Sequence, residues 1–133
     1  VLKKVSLRHS REQSPLRVLA AMGGLEIAAI VGGMLEAASQ RCLILVDGFI
    51  ATAAYLVACR LQPAIVDYAI FSHCSQEAGH QQMLAQLGVQ PLLDLGMRLG
   101  EGTGCAVALP LLRSAVAMLN DMASFSDAGV SGG

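Results

Sequence analysis

Three short stretches hold the residues that could do chemistry. Asp47-Gly48-Phe49 follows one apolar run, Ser72-His73-Cys74-Ser75 follows another, and Gly100-Glu101-Gly102-Thr103-Gly104 precedes a third apolar segment. The last is the most informative. Glycines around one carboxylate let a backbone come close to a ligand and leave Glu101 without bulky neighbours. A carboxylate in an apolar pocket can accept a proton near neutral pH. A glycine-rich turn whose Glu caps a helix has the same pattern. The spacing G-x-G-x-G is not the dinucleotide fingerprint, which needs G-x-G-x-x-G after a strong strand. Ser75 opens a helical stretch. A hydroxyl and free backbone N–H groups there favour an anion such as phosphate, or simply cap the helix. Asp47 fits either a ligand for a sugar hydroxyl or a turn residue ahead of Gly48.

Other constellations are weaker. His73 and His80 are seven apart with a helix start between them and no second Cys/His pair nearby, so no metal is expected. No G-x-S-x-G elbow occurs, and the adjacency of Ser72 and His73 does not aim one side chain at the other. The six methionines read as core filler. The four cysteines, Cys42, Cys59, Cys74 and Cys105, lie far apart inside apolar runs. They read as small buried hydrophobes in a reducing compartment.

The elements that must position these residues follow from periodicity. Ser14-Pro15 marks a helix start, and Gly23-Gly24 a stop after a helix over 16–22. A helix over 25–40 is apolar almost all round, which predicts burial on most sides; Gly32-Gly33 in its middle suggests close helix packing. The unbroken run 42–46 reads as a central parallel strand. A helix over 49–61 follows, stopped by Pro63. A second strand over 68–71 leads to a helix over 76–87, stopped by Gly88. A third run over 92–95 is the weakest. A last helix ends near 122, with Pro110 expected to kink it.

Strands alternating with helices predict an α/β fold with a parallel sheet. In such sheets ligands bind outside the carboxyl ends of the strands. All three stretches then share one sheet edge. Residues 1–13 read as a basic helix or linker, 14–122 as the α/β domain and 123–133 as a flexible tail.

Composition bounds the rest. The chain has 133 residues, with 9 Lys+Arg against 10 Asp+Glu. That near-neutral balance offers no basic field for nucleic acid. Charged residues make up 14% and apolar residues 54%, so the domain is short of polar surface. Some apolar surface is therefore expected to meet protein. Mean hydropathy is +0.57, but the charge-free runs 48–59 and 102–112 are shorter than the roughly 20 residues a membrane span needs. No signal peptide is visible. A beginning at Val1 suits a processed product or a piece of a longer polypeptide.

The segments Gly33-Met34-Leu35-Glu36-Ala37-Ala38-Ser39, Leu45-Val46-Asp47-Gly48-Phe49, Ser72-His73-Cys74-Ser75 and Met97-Arg98-Leu99-Gly100-Glu101-Gly102-Thr103-Gly104 occur in that order. Together they resemble the nicotinate-nucleotide-dimethylbenzimidazole phosphoribosyltransferases over residues 15–122. M-R-L-G-E-G-[ST]-G is the specific motif, supported by D-G-F and S-H-x-S. The resemblance implies the C-terminal part of a Rossmann-like parallel sheet flanked by helices. It implies phosphoribosyl transfer from nicotinate mononucleotide to 5,6-dimethylbenzimidazole, giving α-ribazole 5′-phosphate and nicotinate, in assembly of the cobalamin nucleotide loop. Glu101 would be the base, with Leu99 in the base pocket and helping to keep Glu101 dry. Ser75 would lie in the phosphate region, and Asp47, Gly48, Phe49, Gly100 and Gly102 would line the cleft. It further implies no metal or other cofactor, no membrane, a cytoplasmic location and a homodimer in the complete enzyme.

Family members are longer than this chain, so the resemblance implies an incomplete enzyme. A truncated or split module that only binds a partner chain is the alternative.

Overall fold

The computed structural model describes residues 2–124 and 127–129. Of the tail expected over 123–133, residues 125, 126 and 130–133 lie outside them. Helices α1 (Leu2–Arg8), α2 (Pro15–Met22) and α3 (Leu25–Ser39) precede strand β1 (Ile44–Val46). Helix α4 (Phe49–Leu61) and a 3₁₀ segment (Pro63–Tyr68) lead to β2 (Ala69–Phe71); α5 (Ala78–Leu87) and α6 (Thr103–Asp121) follow.

Local chemistry sets most of these boundaries. Pro15 stands at the first position of α2, where its missing N–H costs nothing. The side chain of Ser14 makes no cap bond; its N–H instead donates to Glu12 Oε1 at 2.9 Å. Gly88 ends α5 in the left-handed region, φ +66°, with its N–H turned back to the carbonyls of Leu84 and Ala85. Helix α6 runs on through Pro110.

β1 and β2 pair in parallel, with Ile44 opposite Ala69, Leu45 opposite Ile70 and Val46 opposite Phe71. The ladder continues one rung further through Ser72 N–H to Val46 O at 2.9 Å. The third strand expected over 92–95 shrinks to one parallel bridge, His73 to Leu93. Its bonds are Leu92 N–H to Phe71 O at 2.9 Å, Leu93 N–H to Ser72 O at 3.0 Å and Cys74 N–H to Leu93 O at 2.8 Å. Pro91 has no N–H to donate, and Gly96 turns the chain at φ +63°. The segment still lies beside β2, as the alternating pattern predicts.

The core lies between α3, α4, the 3₁₀ segment and the sheet. Val46, Ala54, Ala58 and Ile65 are fully buried, and the Tyr55 ring meets Phe71 edge-on with centroids 5.0 Å apart. Such a pair adds about 0.5–1.5 kcal/mol beyond its buried area.

Burial is more one-sided than the sequence suggests. In α3 only Val31 and Met34 are buried, while Leu25 is 90% exposed. Gly32 and Gly33 face open space, so close helix packing does not explain them here. In α6 only Gly104 and Ala108 are buried. Its 19 residues are long and apolar enough to cross a bilayer by length and composition, a reading that charge-free runs miss because Arg113 interrupts them. Met22, Met118 and Met122 lie on the surface, so only part of the methionine set is core. Cys42 is exposed, Cys59 and Cys105 are half-buried, and Cys74 is buried; all four thiols are free. One cause fits these departures: each helix offers more apolar surface than a two-stranded sheet can cover.

Gly32 tests this directly. With nothing within 4 Å of an added Cβ, Gly32→Ala is expected to stabilise the chain by about 0.5–1 kcal/mol through helix propensity alone. The urea midpoint reads it. A loss of stability would mean that Gly32 is packed in solution.

Candidate active site

The carboxyl ends of the two strands and the turn into α6 meet at one cleft of about 430 Å³. Asp47, Gly48 and Phe49 come from the end of β1, and His73 and Ser75 from the end of β2. Arg98, Leu99, Gly100 and Glu101 come from the segment before α6. Of the residues singled out in the sequence, Glu101, Leu99, Ser75, Asp47, Gly48, Phe49 and Gly100 therefore share one lining. Gly102 is not in it. It is the N-cap of α6, and its carbonyl accepts Ala106 N–H at 3.0 Å.

Asp47 ties the cleft together. Its Oδ1 accepts the backbone N–H of Cys105 at 3.0 Å, in the first turn of α6. A carboxylate there satisfies a donor the helix cannot use and suits the helix dipole. The same oxygen lies 3.7 Å from His73 Nδ1. Cys105 also gives its thiol to Leu45 O at 3.4 Å, and burial pushes that thiol's pKa up.

Gly104 makes this approach possible. A Cβ on it would run into His73 Nδ1 and stand 2.7 Å from Asp47 Oδ1. The sequence signal was the third glycine of G-x-G-x-G, here explained by helix docking and not by ligand approach. Gly79 plays a similar part for Phe49, whose ring would meet an added Cβ at 2.8 Å.

The segment before α6 holds three consecutive residues in the left-handed region: Gly100 at φ +77°, Glu101 at +55° and Gly102 at +77°. For Glu101 this costs about 1–2 kcal/mol. Thr103 fixes the turn, donating both its N–H, at 3.0 Å, and its hydroxyl, at 2.7 Å, to Gly100 O. Gln76 N–H to Met97 O at 3.1 Å and Arg98 Nε to Glu77 Oε1 at 2.7 Å hold the other end. Glu101 stands exposed, and Leu99 is 73% exposed. The expectation that Leu99 keeps Glu101 dry is therefore not met by this chain alone: no second wall faces them among the described residues.

His80 is the residue that spacing alone did not reveal. It is fully buried, and its Nδ1 accepts Ser75 N–H at 2.9 Å. Its Nε2 lies 2.9 Å from Thr52 Oγ1. Thr52 spends its single hydroxyl hydrogen on Gly48 O at 2.9 Å, so Nε2 must carry the proton. His80 thus links the Ser75 turn to the Gly48 turn across the cleft floor. Ser75 Oγ accepts Glu77 N–H at 3.2 Å, a local turn that starts three residues ahead of α5 and is not a helix cap. Ser72 Oγ, contrary to the expectation from adjacency, does lie 3.2 Å from His73 Nδ1.

Burial lowers the pKa of His80, the nearby His73 lowers it further, and Asp47 partly opposes both. A lowered pKa means that the unfolded chain binds the proton first. Stability should therefore be complete above the ordinary value of 6.5 and fall as the pH drops below it. Urea midpoints between about pH 7.5 and pH 5.5 should show this slope, flattened in His80→Gln. Equal slopes would remove His80 as its source. Gly104→Ala should cost about 1–3 kcal/mol by overpacking; an unchanged midpoint would contradict the docking geometry.

The chain is similar to known proteins over nearly its whole length. A family model described as Phosphoribosyltransferase matches residues 1–130. A nicotinate-nucleotide-dimethylbenzimidazole phosphoribosyltransferase of Cupriavidus taiwanensis is 60% identical over 98% of this chain and 38% of its own length. One of Photobacterium profundum is 55% identical over the same shares, 98% and 38%. The crystal structure of the protein of that name from Thermus thermophilus superposes with a TM-score of 0.85 at 46% identity, covering 92% of this chain and 37% of that one. The chain thus spans well under half the length of these relatives. With the family model matching residues 1–130 and the fold shared, the chain belongs to the phosphoribosyltransferase family.

Proposed function

We propose that this chain carries the base-bearing part of a phosphoribosyl transfer from nicotinate mononucleotide to 5,6-dimethylbenzimidazole. The observation that carries the reading is the shared cleft. Asp47, Gly48, Phe49, Ser75, Leu99 and Glu101 come from three separate segments and line one cavity. A ring nitrogen of the benzimidazole attacks the anomeric carbon of the ribose. The bond from that carbon to the nicotinate nitrogen breaks, and nicotinate leaves with the bonding pair. The proton on the other benzimidazole nitrogen goes to the Glu101 carboxylate. The phosphate lies toward Ser75 and the ring toward Leu99.

The cleft is built for only part of this work. Among the described residues lining it, Arg98 is the cation, and Glu77 holds it at 2.7 Å. Asp47, Glu77 and Glu101 are three carboxylates against that one guanidinium. A phosphate needs a further donor or cation to enter such a field. With Leu99 and Glu101 open to solvent, the aromatic ring also lacks a second wall. The remaining length of the family's chain supplies both in this reading. Residues 14–122 are then the C-terminal α/β part of a longer cytoplasmic enzyme, with 1–13 entering from the preceding region. The homodimer is proposed for the whole enzyme only.

The decisive assay uses a chimera in which this chain replaces the matching segment of the Cupriavidus taiwanensis relative. It should form α-ribazole 5′-phosphate from the two substrates, detected by mass. Glu101→Gln should lower turnover about 10²–10⁴-fold, and wild-type turnover would remove Glu101 from the chemistry. The 133-residue chain alone should form no product; product from it would show that one wall suffices. A chimera that folds without turning over would favour the module that only binds a partner.

A further inference from the structure

His73 has a nitrogen that the proposed chemistry leaves unused. Its side chain is 4% exposed and lines the cleft. Ser72 Oγ has one hydrogen and donates it to Val46 O at 2.9 Å. Facing His73 Nδ1 at 3.2 Å, the same oxygen can only accept. The proton of the neutral ring therefore sits on Nδ1, and Asp47 Oδ1, 3.7 Å from that atom, favours the same arrangement. Nε2 is left with a lone pair, and no group among the described residues hydrogen-bonds to it. It does not point into the core. The ring's Cε1 and Nε2 stand 3.5 and 3.7 Å from where a Cβ on Gly48 would lie, and Ser75 Cβ stands 3.5 Å from that point. His73 thus presents a bare acceptor in the cleft wall, between the Gly48 and Ser75 turns.

We infer that His73 Nε2 accepts a hydrogen bond from a ribose hydroxyl of the phosphoribosyl donor. The inference rests on the phosphoribosyl reading above. A lone pair backed by a carboxylate repels a phosphate oxygen, which is itself an acceptor, so it calls for a neutral donor. The donor substrate offers its ribose hydroxyls. In that reading, proximity to Ser75 puts the contact on the phosphate-bearing side of the sugar. His73 and His80 then divide the work by opposite tautomers. His80, protonated on Nε2, fixes the two turns; His73, protonated on Nδ1, faces the substrate.

The test is a cycle between residue and substrate in the same chimera. kcat/KM is measured with nicotinate mononucleotide and with its 2′-deoxy and 3′-deoxy analogues. One analogue should be about tenfold poorer for the unmodified chimera, the size of one neutral hydrogen bond. His73→Asn keeps an N–H toward Ser72 and has no atom at the Nε2 position, so it should handle that analogue and the parent substrate alike. His73→Phe, which also drops the Nδ1 donor, should show the same levelling where it folds. Equal losses on both analogues in the unmodified chimera and in His73→Asn would overturn the inference while leaving phosphoribosyl transfer intact. Transfer of both analogues at the parent rate by the unmodified chimera would also overturn it. No product from any substrate would sink the underlying reading and the inference with it. Nitrogen-15 shifts of the imidazole give a readout independent of turnover. The expected result is a protonated Nδ1 and a bare Nε2 that moves on adding nicotinate mononucleotide; a protonated Nε2 would count against the proposal.

Discussion

One carboxylate oxygen holds the working end of this fold together. Asp47 Oδ1 sits at the end of β1, takes the N–H of Cys105 from a helix 58 residues later, and lies against His73 at the end of β2. The start of α6, which belongs to neither strand, is thereby fixed against the paired ends of β1 and β2. A capping bond of this kind contributes about 1 kcal/mol, small against the whole fold. Its leverage is geometric: it sets where α6 begins, and so where the preceding Gly100-Glu101-Gly102 turn must stand. Gly104 is the steric counterpart, because any side chain there would push α6 off both Asp47 and His73.

A second layer of bonds sits beneath the first. His80, fully buried, spans from Ser75 N–H to Thr52 and through it to Gly48 O. A buried imidazole with both nitrogens satisfied is a rigid strut in a low dielectric, and the lowered pKa of His80 keeps it in the neutral form that this geometry requires. Parallel strands place their carboxyl ends together, but only roughly. The Asp47 and His80 bonds turn that shared edge into a cleft with defined walls.

Much of this was legible in the sequence. Apolar runs ending in Asp47-Gly48 and Ser72-His73 announced two parallel strands, and the start of α4 at Phe49 followed from the Asp-Gly turn. The stretches that share the cleft group together from strand ends alone. What stayed hidden were bonds between residues distant in the chain. Nothing in the spacing of Thr52 and His80 says that their side chains meet, and Gly104 read as one of several glycines that let the backbone approach a ligand, not as a helix-docking position. Burial also misled. The apolar surround of α3 reads as core by pattern, yet Leu25 is 90% exposed. Pattern reports which surface is apolar, whereas burial depends on how much chain is present to cover it.

The left-handed turn shows how these levels depend on each other. Gly100 and Gly102 adopt positive φ readily; Glu101 between them does not, and glycine would relieve it. A strained residue of this kind persists only where its surroundings over-determine it. Here Thr103 clamps Gly100 O from one side, while Asp47 anchors the start of α6 on the other. The strain is thus carried by bonds outside the turn, and it holds a carboxylate clear of the helix at the rim of the cleft. Under the proposed chemistry that placement is what a proton acceptor needs. The backbone cost falls on the one residue of the turn whose side chain would have work to do.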